Sequence, residues 1–487
     1  MRIAIVSQFS SPGGGARFLR GLCVGLLDQA EIAEIGLFID SAAASRDDVL
    51  SWGRSSNRLT LHLMDDRGDL VACSAWSPRD VVRRSRAWAL RRPAIVRTYR
   101  GLRHRALPGA EVDALRRITL SDRAVDVISS YDVAYFPWPR QIVLPPAPRA
   151  LVATFHDFNH RHRFGNFRPR DIEVLDAEMV EWLTGRVQPV TSTRFIADEL
   201  DAYFPERMHE PEVVYLSAFA MRDPDPEEVA AVVAQFGLPG RYVLCPTNIA
   251  PHKNAISLLR AQGRMKRGGM EVRLVLTGSG TDCLDLDSSE GPECAAVIRQ
   301  SIDELRAAIA EEDLVVGEDV WPLGYVTDAQ MDALVRGAAL VAAPSLYEAG
   351  SGPALDAWWL GTPVVSSALP SVVEQMEFLG TEAVLFDPTD VGAMVAALAV
   401  ALTDRQRTMA MAARSRKAIA RYTWDDVGSG YVRVFREALV QSETSPRGTA
   451  GAPGGAAAHR DASTARCSAN ERTGGSAVHS HASSLPG

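Results

Sequence analysis

The residues best suited to chemistry lie in one run, Pro344-Ser-Leu-Tyr-Glu348-Ala-Gly-Ser351-Gly352-Pro353-Ala-Leu-Asp356, closed by Gly361-Thr-Pro363-Val-Val. Pro353 suits the first turn of a helix, and Gly361 with Pro363 ends it. Glu348 lies just before that helix and Asp356 in its first turns, so both carboxylates can face its N-terminal end. Carboxylates accept hydrogen bonds from hydroxyls, and the N–H groups of Ser351 and Gly352 at a helix N-terminus can hold an anion. That combination suits the hydroxyls and diphosphate of a nucleotide-sugar. Plain helix capping is the alternative. Trp358 and Trp359 read as packing residues.

Three further motifs bear on the same chemistry. In Asn248-Ile-Ala-Pro-His252-Lys253-Asn254, Lys253 follows an apolar strand and offers a flexible point charge for phosphate. His156-Asp157 follows the apolar run Leu151–Phe155, where a parallel strand would aim its last residues into a ligand crevice. A structural histidine is the competing reading, and zinc is disfavoured because His160 and His162 lack suitably spaced acids. Gly13-Gly14-Gly15 follows the first strand, and such a turn lets a ligand approach the backbone closely. A dinucleotide fingerprint would need glycine where Phe18 stands, so a ligand-facing turn or a plain structural turn remains.

The elements that position these motifs alternate strand with helix. Strand candidates are Arg2–Val6, Ile35–Ile39, Val133–Phe136, Ala150–Phe155 and Val187–Thr191, then Tyr242–Pro246, Arg273–Thr277, Val320–Trp321, Leu340–Ala343 and Val364–Ser366. Near-continuous apolar runs imply parallel strands covered on both faces. The pattern predicts an α/β protein with two doubly wound, Rossmann-like domains facing a cleft. The polar, Pro-broken segment Asp223-Pro-Asp-Pro-Glu-Glu divides the two series, giving domains over 1–222 and 223–425. A helix over 426–440 follows, and 441–487, rich in Ala, Gly, Ser and Thr, reads as a disordered tail.

Composition narrows the function. The 487 residues carry 52 Lys+Arg against 60 Asp+Glu, a net charge of −8 that argues against nucleic acid as a partner. Six cysteines without a CxxC pair indicate a reducing cytoplasm. No run reaches the roughly 18 apolar residues of a membrane span, and the first residues lack the features of a signal peptide. Arg79 to Arg105 departs from the average, with ten arginines, one acid and interleaved Trp88, Ile95 and Tyr99. A solvated helical face is the plainer reading. Docking to an anionic membrane, on its inner face, or to a phosphate-bearing acceptor is the functional one.

Taken together the motifs resemble family 4 of the retaining glycosyltransferases, which have the GT-B fold. The acidic run resembles that family's E-x7-E region. Tyr242-Val-Leu-Cys-Pro with Lys253-Asn254 resembles its phosphate-lysine strand and loop. Leu274-Val-Leu-Thr-Gly278-Ser-Gly280, Leu323-Gly-Tyr-Val-Thr-Asp328, Tyr422-Thr-Trp424-Asp-Asp and Thr154-Phe-His156-Asp157 resemble others of its motifs. The resemblance spans roughly residues 130 to 440, plus the opening strand and glycine turn.

That resemblance implies transfer of a hexose, with a lean towards mannose, from a nucleotide diphosphate sugar with retention. The acceptor would be a glycan, a lipid-linked group or a small molecule, and neither metal nor cofactor is implied. His156 and Glu348 would act at the transferred sugar. Gly14, Gly15, Asn248, Lys253, Gly278, Ser351, Gly352 and Asp356 would border the donor, with Lys253 on the diphosphate and Asp356 on the ribose. The final helix would cross back to the first domain. Departures from the family pattern are Asp356 in place of Glu, Asn248 in place of Arg, and Ser371 in place of Glu. They leave a catalytically silent nucleotide-sugar-binding protein as the alternative.

Overall fold

The computed structural model describes residues 1–7, 14–40, 56–65, 67–71, 117–140, 142–146, 149–162, 167, 169–220, 222–285 and 296–444. The Arg79–Arg105 segment, Gly13 and residues 445–487 lie outside them.

Two sheets carry the fold. The first has the order β4-β3-β2-β1-β5-β6-β7-β8, built from β1 (Arg2–Ser7), β2 (Glu34–Asp40), β3 (Leu59–Met64), β4 (Leu70–Val71), β5 (Val133–Phe136), β6 (Ala150–Thr154), β7 (Val187–Thr191) and β8 (Glu212–Val213). The second has the order β11-β10-β9-β12-β13-β14, from β9 (Val243–Pro246), β10 (Leu274–Thr277), β11 (Val320–Gly324), β12 (Leu340–Ala343), β13 (Val364–Ser367) and β14 (Val384–Phe386). Pairing is parallel throughout except between β3 and β4. The central strands β1, β5, β6, β9, β10 and β12 are buried almost end to end, which is why they read as continuous apolar runs.

Four strands escape the sequence reading: β3, β4, β8 and β14. In β3 a histidine interrupts the apolar pattern, yet His62 stacks on Phe38 of β2 with ring centroids 4.3 Å apart. The others are two or three residues long, too short for periodicity to register. The polar segment at 223–228 starts a helix. Asp225 caps Pro226–Gln235 through a capping box with Glu228, which explains its acids and prolines together.

The helices that bear on the site are α1 (Gly14–Asp28), α2 (Arg194–Tyr203), α3 (Ala255–Arg267), α4 (Asp328–Gly337), α5 (Gly352–Leu360), α6 (Pro370–Leu379) and α7 (Trp424–Thr444). The last of these packs on α1 and β6, and Trp424, Val427, Tyr431 and Phe435 share a core with Ile3, Ile5, Phe18 and Leu22. Tyr431 adds a buried hydroxyl cluster with Tyr135 and Thr154, at 3.2 and 2.9 Å. The α1–α7 approach is close enough to require glycines. A Cβ on Gly25 would lie 1.8 Å from the Trp424 carbonyl oxygen, and one on Gly428 would lie 2.3 Å from the Gly25 carbonyl oxygen.

Gly25→Ala sets two effects against each other. Alanine gains up to about 1 kcal/mol of helix propensity. Forcing a methyl into a backbone carbonyl that cannot yield costs about 1–3 kcal/mol. We expect net destabilisation in urea denaturation. Gly240→Ala, where nothing lies within 4 Å of the new Cβ, should stay within about 0.5 kcal/mol of the parent.

Candidate active site

The carboxyl ends of β9 and β12 build the centre of the site. Beyond β9 the chain turns on Asn248, whose Oδ1 accepts from Ala250 N at 2.9 Å. A short 3-10 turn, Pro251–Lys253, then stops at Asn254, which takes the left-handed conformation with φ 57°. Asn254 tolerates it because its amide is employed: Nδ2 donates to the carbonyls of Pro344 at 3.0 Å and Pro388 at 2.9 Å. Leu346 N donates to the His252 carbonyl at 2.7 Å, tying the same turn to the loop after β12.

These bonds bring Lys253 to Glu348. Lys253 Nζ lies 2.6 Å from Glu348 Oε1, which also accepts from Ser345 Oγ at 2.7 Å. Both side chains of the pair are about one-fifth exposed. Ser371, at the position where the resemblance would place an acid, donates to the Glu348 carbonyl at 2.5 Å. Gly278, with φ 138°, has a backbone role: a Cβ there would lie 1.5 Å from the Thr247 carbonyl oxygen. It lets the exits of β9 and β10 lie against each other.

The N-terminal end of α5 has fewer donors than its sequence suggests. Ser351 N donates to Gln375 Oε1 at 2.9 Å, and Ser351 Oγ caps Ala354 N. Pro353 has no N–H, and Leu355 N donates to the Ser351 carbonyl. Ser351 therefore positions the helix, and Gly352 N–H is left to meet an anion there.

His156 stands at the end of β6 with its ring stacked on Trp138 at 3.8 Å and edge-on to Phe18 at 4.8 Å. Burial drops its pKa to about 4, against the opposing pull of Asp157 and a hydrogen bond with the Pro137 backbone. Its Nε2 is buried and has no hydrogen-bond partner. The ring is thus neutral at physiological pH. The neighbouring histidines turn elsewhere: His160 Nε2 meets Asp176 at 2.9 Å, and His162 Nε2 meets Glu199 at 2.7 Å. Gly14 is exposed at the start of α1, with nothing within 4 Å of an added Cβ, and Gly15 follows it in the first turn.

The two sheets meet across this site through polar contacts. Tyr347, next to Glu348, inserts into the core beneath the first sheet. Its hydroxyl donates to Glu199 Oε2 at 2.6 Å and accepts from Phe158 N at 2.9 Å. Asn159 Nδ2 lies 3.2 Å from His252 Nδ1. Thr193 Oγ1 donates to the Ala349 carbonyl at 3.0 Å. Glu374 of α6 accepts from Arg194 N and Phe195 N, the first amides of α2, at 2.5 and 2.8 Å.

Asp356 lies on the same seam, and its surroundings differ from the ribose site that the resemblance implies. Oδ1 accepts from Phe219 N and Ala220 N, both at 2.8 Å, and Oδ2 pairs with Arg17 Nη1 at 2.6 Å. Both oxygens are committed and the side chain is 3% exposed.

Residues 240–404 match the family described as "Glycosyl transferases group 1". This part of the chain belongs to the group 1 glycosyl transferases. The "MMP alpha-(1->4)-mannosyltransferase" of Mycolicibacterium hassiacum is 28% identical over 130 residues, 26% of this chain and 32% of that protein. The "O-antigen chain mannosyltransferase B" of Escherichia coli is 24% identical over 298 residues, 60% of this chain and 72% of that protein. The chain thus spans about a third of the first relative's length and nearly three quarters of the second's. Among solved structures, Anabaena HepE in complex with UDP and glucose superposes with a TM-score of 0.60 over 90% of this chain and 100% of its own, at 14% identity. The architecture is the GT-B fold.

Arg17, Tyr347, Glu199, Gln375 and Glu374 are the site residues that sequence reasoning missed. Each acts through a partner at least 24 positions away, so no local spacing marks them. Asp332 of α4 joins them. It lies 3.6 Å from Arg17 Nη2 and its Oδ1 has no hydrogen bond. Burial pushes its pKa from 3.8 up to about 7; Arg17 and Arg222 pull the other way, and Asp356 and Asp328 reinforce the rise. The folded protein therefore keeps this proton at pH values where an unfolded chain has lost it. Stability falls as pH rises from about 4 to about 7, and the penalty stays above that. Asp332→Asn should raise the Tm relative to the parent at pH 8, by roughly 1 °C per kcal/mol recovered in a folded unit of this size. The gap should close as pH approaches 4. A lower Tm at pH 8 would mean that attraction to Arg17 outweighs burial.

Proposed function

We propose that this chain transfers a hexose, with mannose the leading candidate, from a nucleotide diphosphate sugar to a glycan, lipid-linked or small-molecule acceptor, with retention at the anomeric carbon. The observation that carries this reading is the Lys253–Glu348 pair at the seam of two Rossmann-like sheets. Lys253 would exchange Glu348 for the donor diphosphate. Glu348, released but still held by Ser345, would then accept from sugar hydroxyls. Mannose rests on the two relatives described above, both mannosyltransferases by name. The nucleotide donor rests on the UDP bound by HepE, on the same fold.

Transfer develops negative charge on the leaving diphosphate. Lys253 and Gly352 N–H would stabilise it from one side, and the start of α1 at Gly14-Gly15 from the other. Neutral His156 has one nitrogen tied to Pro137, so its Nε2 could accept from a hydroxyl of the bound sugar. It would not serve as a general acid near neutral pH. The close seam excludes water that would otherwise hydrolyse the donor. No described helix is long and apolar enough to cross a membrane. Attachment at an inner membrane face would depend on the Arg79–Arg105 segment.

The commitment of Ser351 N–H and Asp356 favours a second reading, a silent nucleotide-sugar-binding protein. Binding and turnover of UDP- and GDP-sugars with a cell-extract acceptor separate the two. Lys253→Ala should weaken UDP or GDP binding about tenfold or more, since a charged hydrogen bond contributes about 1.5–3 kcal/mol. Glu348→Gln should lower turnover while leaving the nucleotide Kd nearly unchanged. Tight binding without turnover in the parent would favour the silent protein. Undiminished binding and transfer in both variants would refute the site.

A further inference from the structure

Arg17 leaves the first turn of α1 and is enclosed where the two sheets meet. Nη1 bonds Asp356 Oδ2 at 2.6 Å, Nε lies 3.4 Å from Asp328 Oδ1, and Nη2 lies 3.6 Å from Asp332 Oδ1. The ring of Phe219 covers its guanidinium carbon at 5.6 Å. Arg20, about one turn further along α1, reaches Asp328 Oδ2 at 3.2 Å. On the other side Asp356 holds two backbone amides of the crossing segment at 219–220. A ribose could take this carboxylate only by displacing Arg17 from it, which would part the buried acid from its counter-charge. An aspartate is also one methylene shorter than the glutamate that the resemblance would place here, so it stays within the packed layer.

We propose that Arg17 and Asp356 are positioning residues for sugar transfer. Their ion pair holds α1 against α5, which fixes the Gly14-Gly15 turn relative to Lys253 and Glu348. Asp356 does not contact the donor ribose. The transfer part of this inference rests on the function proposed above; the ion pair itself does not.

The test uses the full chain and four variants: Arg17→Met, Arg17→Lys, Asp356→Asn and the Met/Asn double. Asparagine keeps its one acceptor oxygen for Phe219 N and Ala220 N and sets an NH2 donor where Oδ2 accepts from Arg17 Nη1, so it breaks the pair and leaves the amides partnered. The first readout is hydrogen exchange in the start of α1 and in 217–220. Either single charge removal should speed exchange there, the double should be no faster than the singles, and lysine should restore most of the protection. The second is binding of UDP, GDP and their 2′- and 3′-deoxy forms, with transfer kinetics. Asp356→Asn should hold nucleotide Kd and donor KM within about twofold while kcat falls roughly tenfold to a hundredfold, as misplacement by about 1 Å does.

Additive effects on exchange would overturn the pairing. So would an Asp356→Asn variant that loses about tenfold in nucleotide affinity while Arg17→Met keeps it. Deoxy nucleotides that bind the parent weakly but Asp356→Asn normally would identify a ribose contact. If no nucleotide binds the parent, the proposed function fails, and the exchange cycle still decides the pair.

Discussion

A buried carboxylate between two sheets is the constraint on which the rest depends. Asp356 enters the protein interior as a charge, and the desolvation cost of such a group is several kcal/mol unless it is fully partnered. Two backbone amides and one guanidinium meet that requirement. Those partners come from two separate parts of the chain, α1 and the crossing segment at 219–220, and meet on α5. Satisfying one acid therefore fixes α1, beside the first sheet, against α5, beside the second.

The remaining seam contacts follow the same logic. Tyr347 exchanges solvent for Glu199 and Phe158 N, and Glu374 takes the orphan amides at the start of α2. Tyr347 and Glu374 thus find their partners on the opposite side of the seam. Lys253 and Glu348 sit in the middle and bond each other, with about a fifth of each side chain still open to solvent. They are the members of this seam whose partners a diphosphate and a sugar could replace at least cost. A ligand that substitutes for a protein partner leaves no buried charge behind, and this is why we propose donor chemistry at this pair.

Much of this was legible in the sequence because it is local. Apolar runs marked the central strands, Pro353 and Gly361 marked the ends of α5, and the Lys253 and Glu348 motifs pointed to one site. The hidden part is non-local. Nothing near Asp356 reveals that Arg17, 339 positions earlier, neutralises it. The eight-residue spacing from Glu348 made Asp356 look like a donor ligand, because spacing reports which helix face a residue occupies and not who waits there. Ser351 read as an anion donor because its amide lies at a helix start, yet Gln375 takes that amide. Strands β3 and β14 leave little mark in the sequence for a different reason: β3 alternates around a histidine that packs on an aromatic ring, and β14 spans three residues. The basic segment from Arg79 to Arg105, so visible in the charge distribution, falls outside the described residues.

The most direct measurement is a structure of the protein with a bound nucleoside diphosphate, UDP or GDP, solved beside the free form. The account predicts the diphosphate within hydrogen-bonding distance of Lys253 Nζ and Gly352 N, with Glu348 parted from Lys253 and Asp356 still bonded to Arg17. A diphosphate seated away from Lys253, or an Asp356 turned from Arg17 onto the ribose, would contradict it.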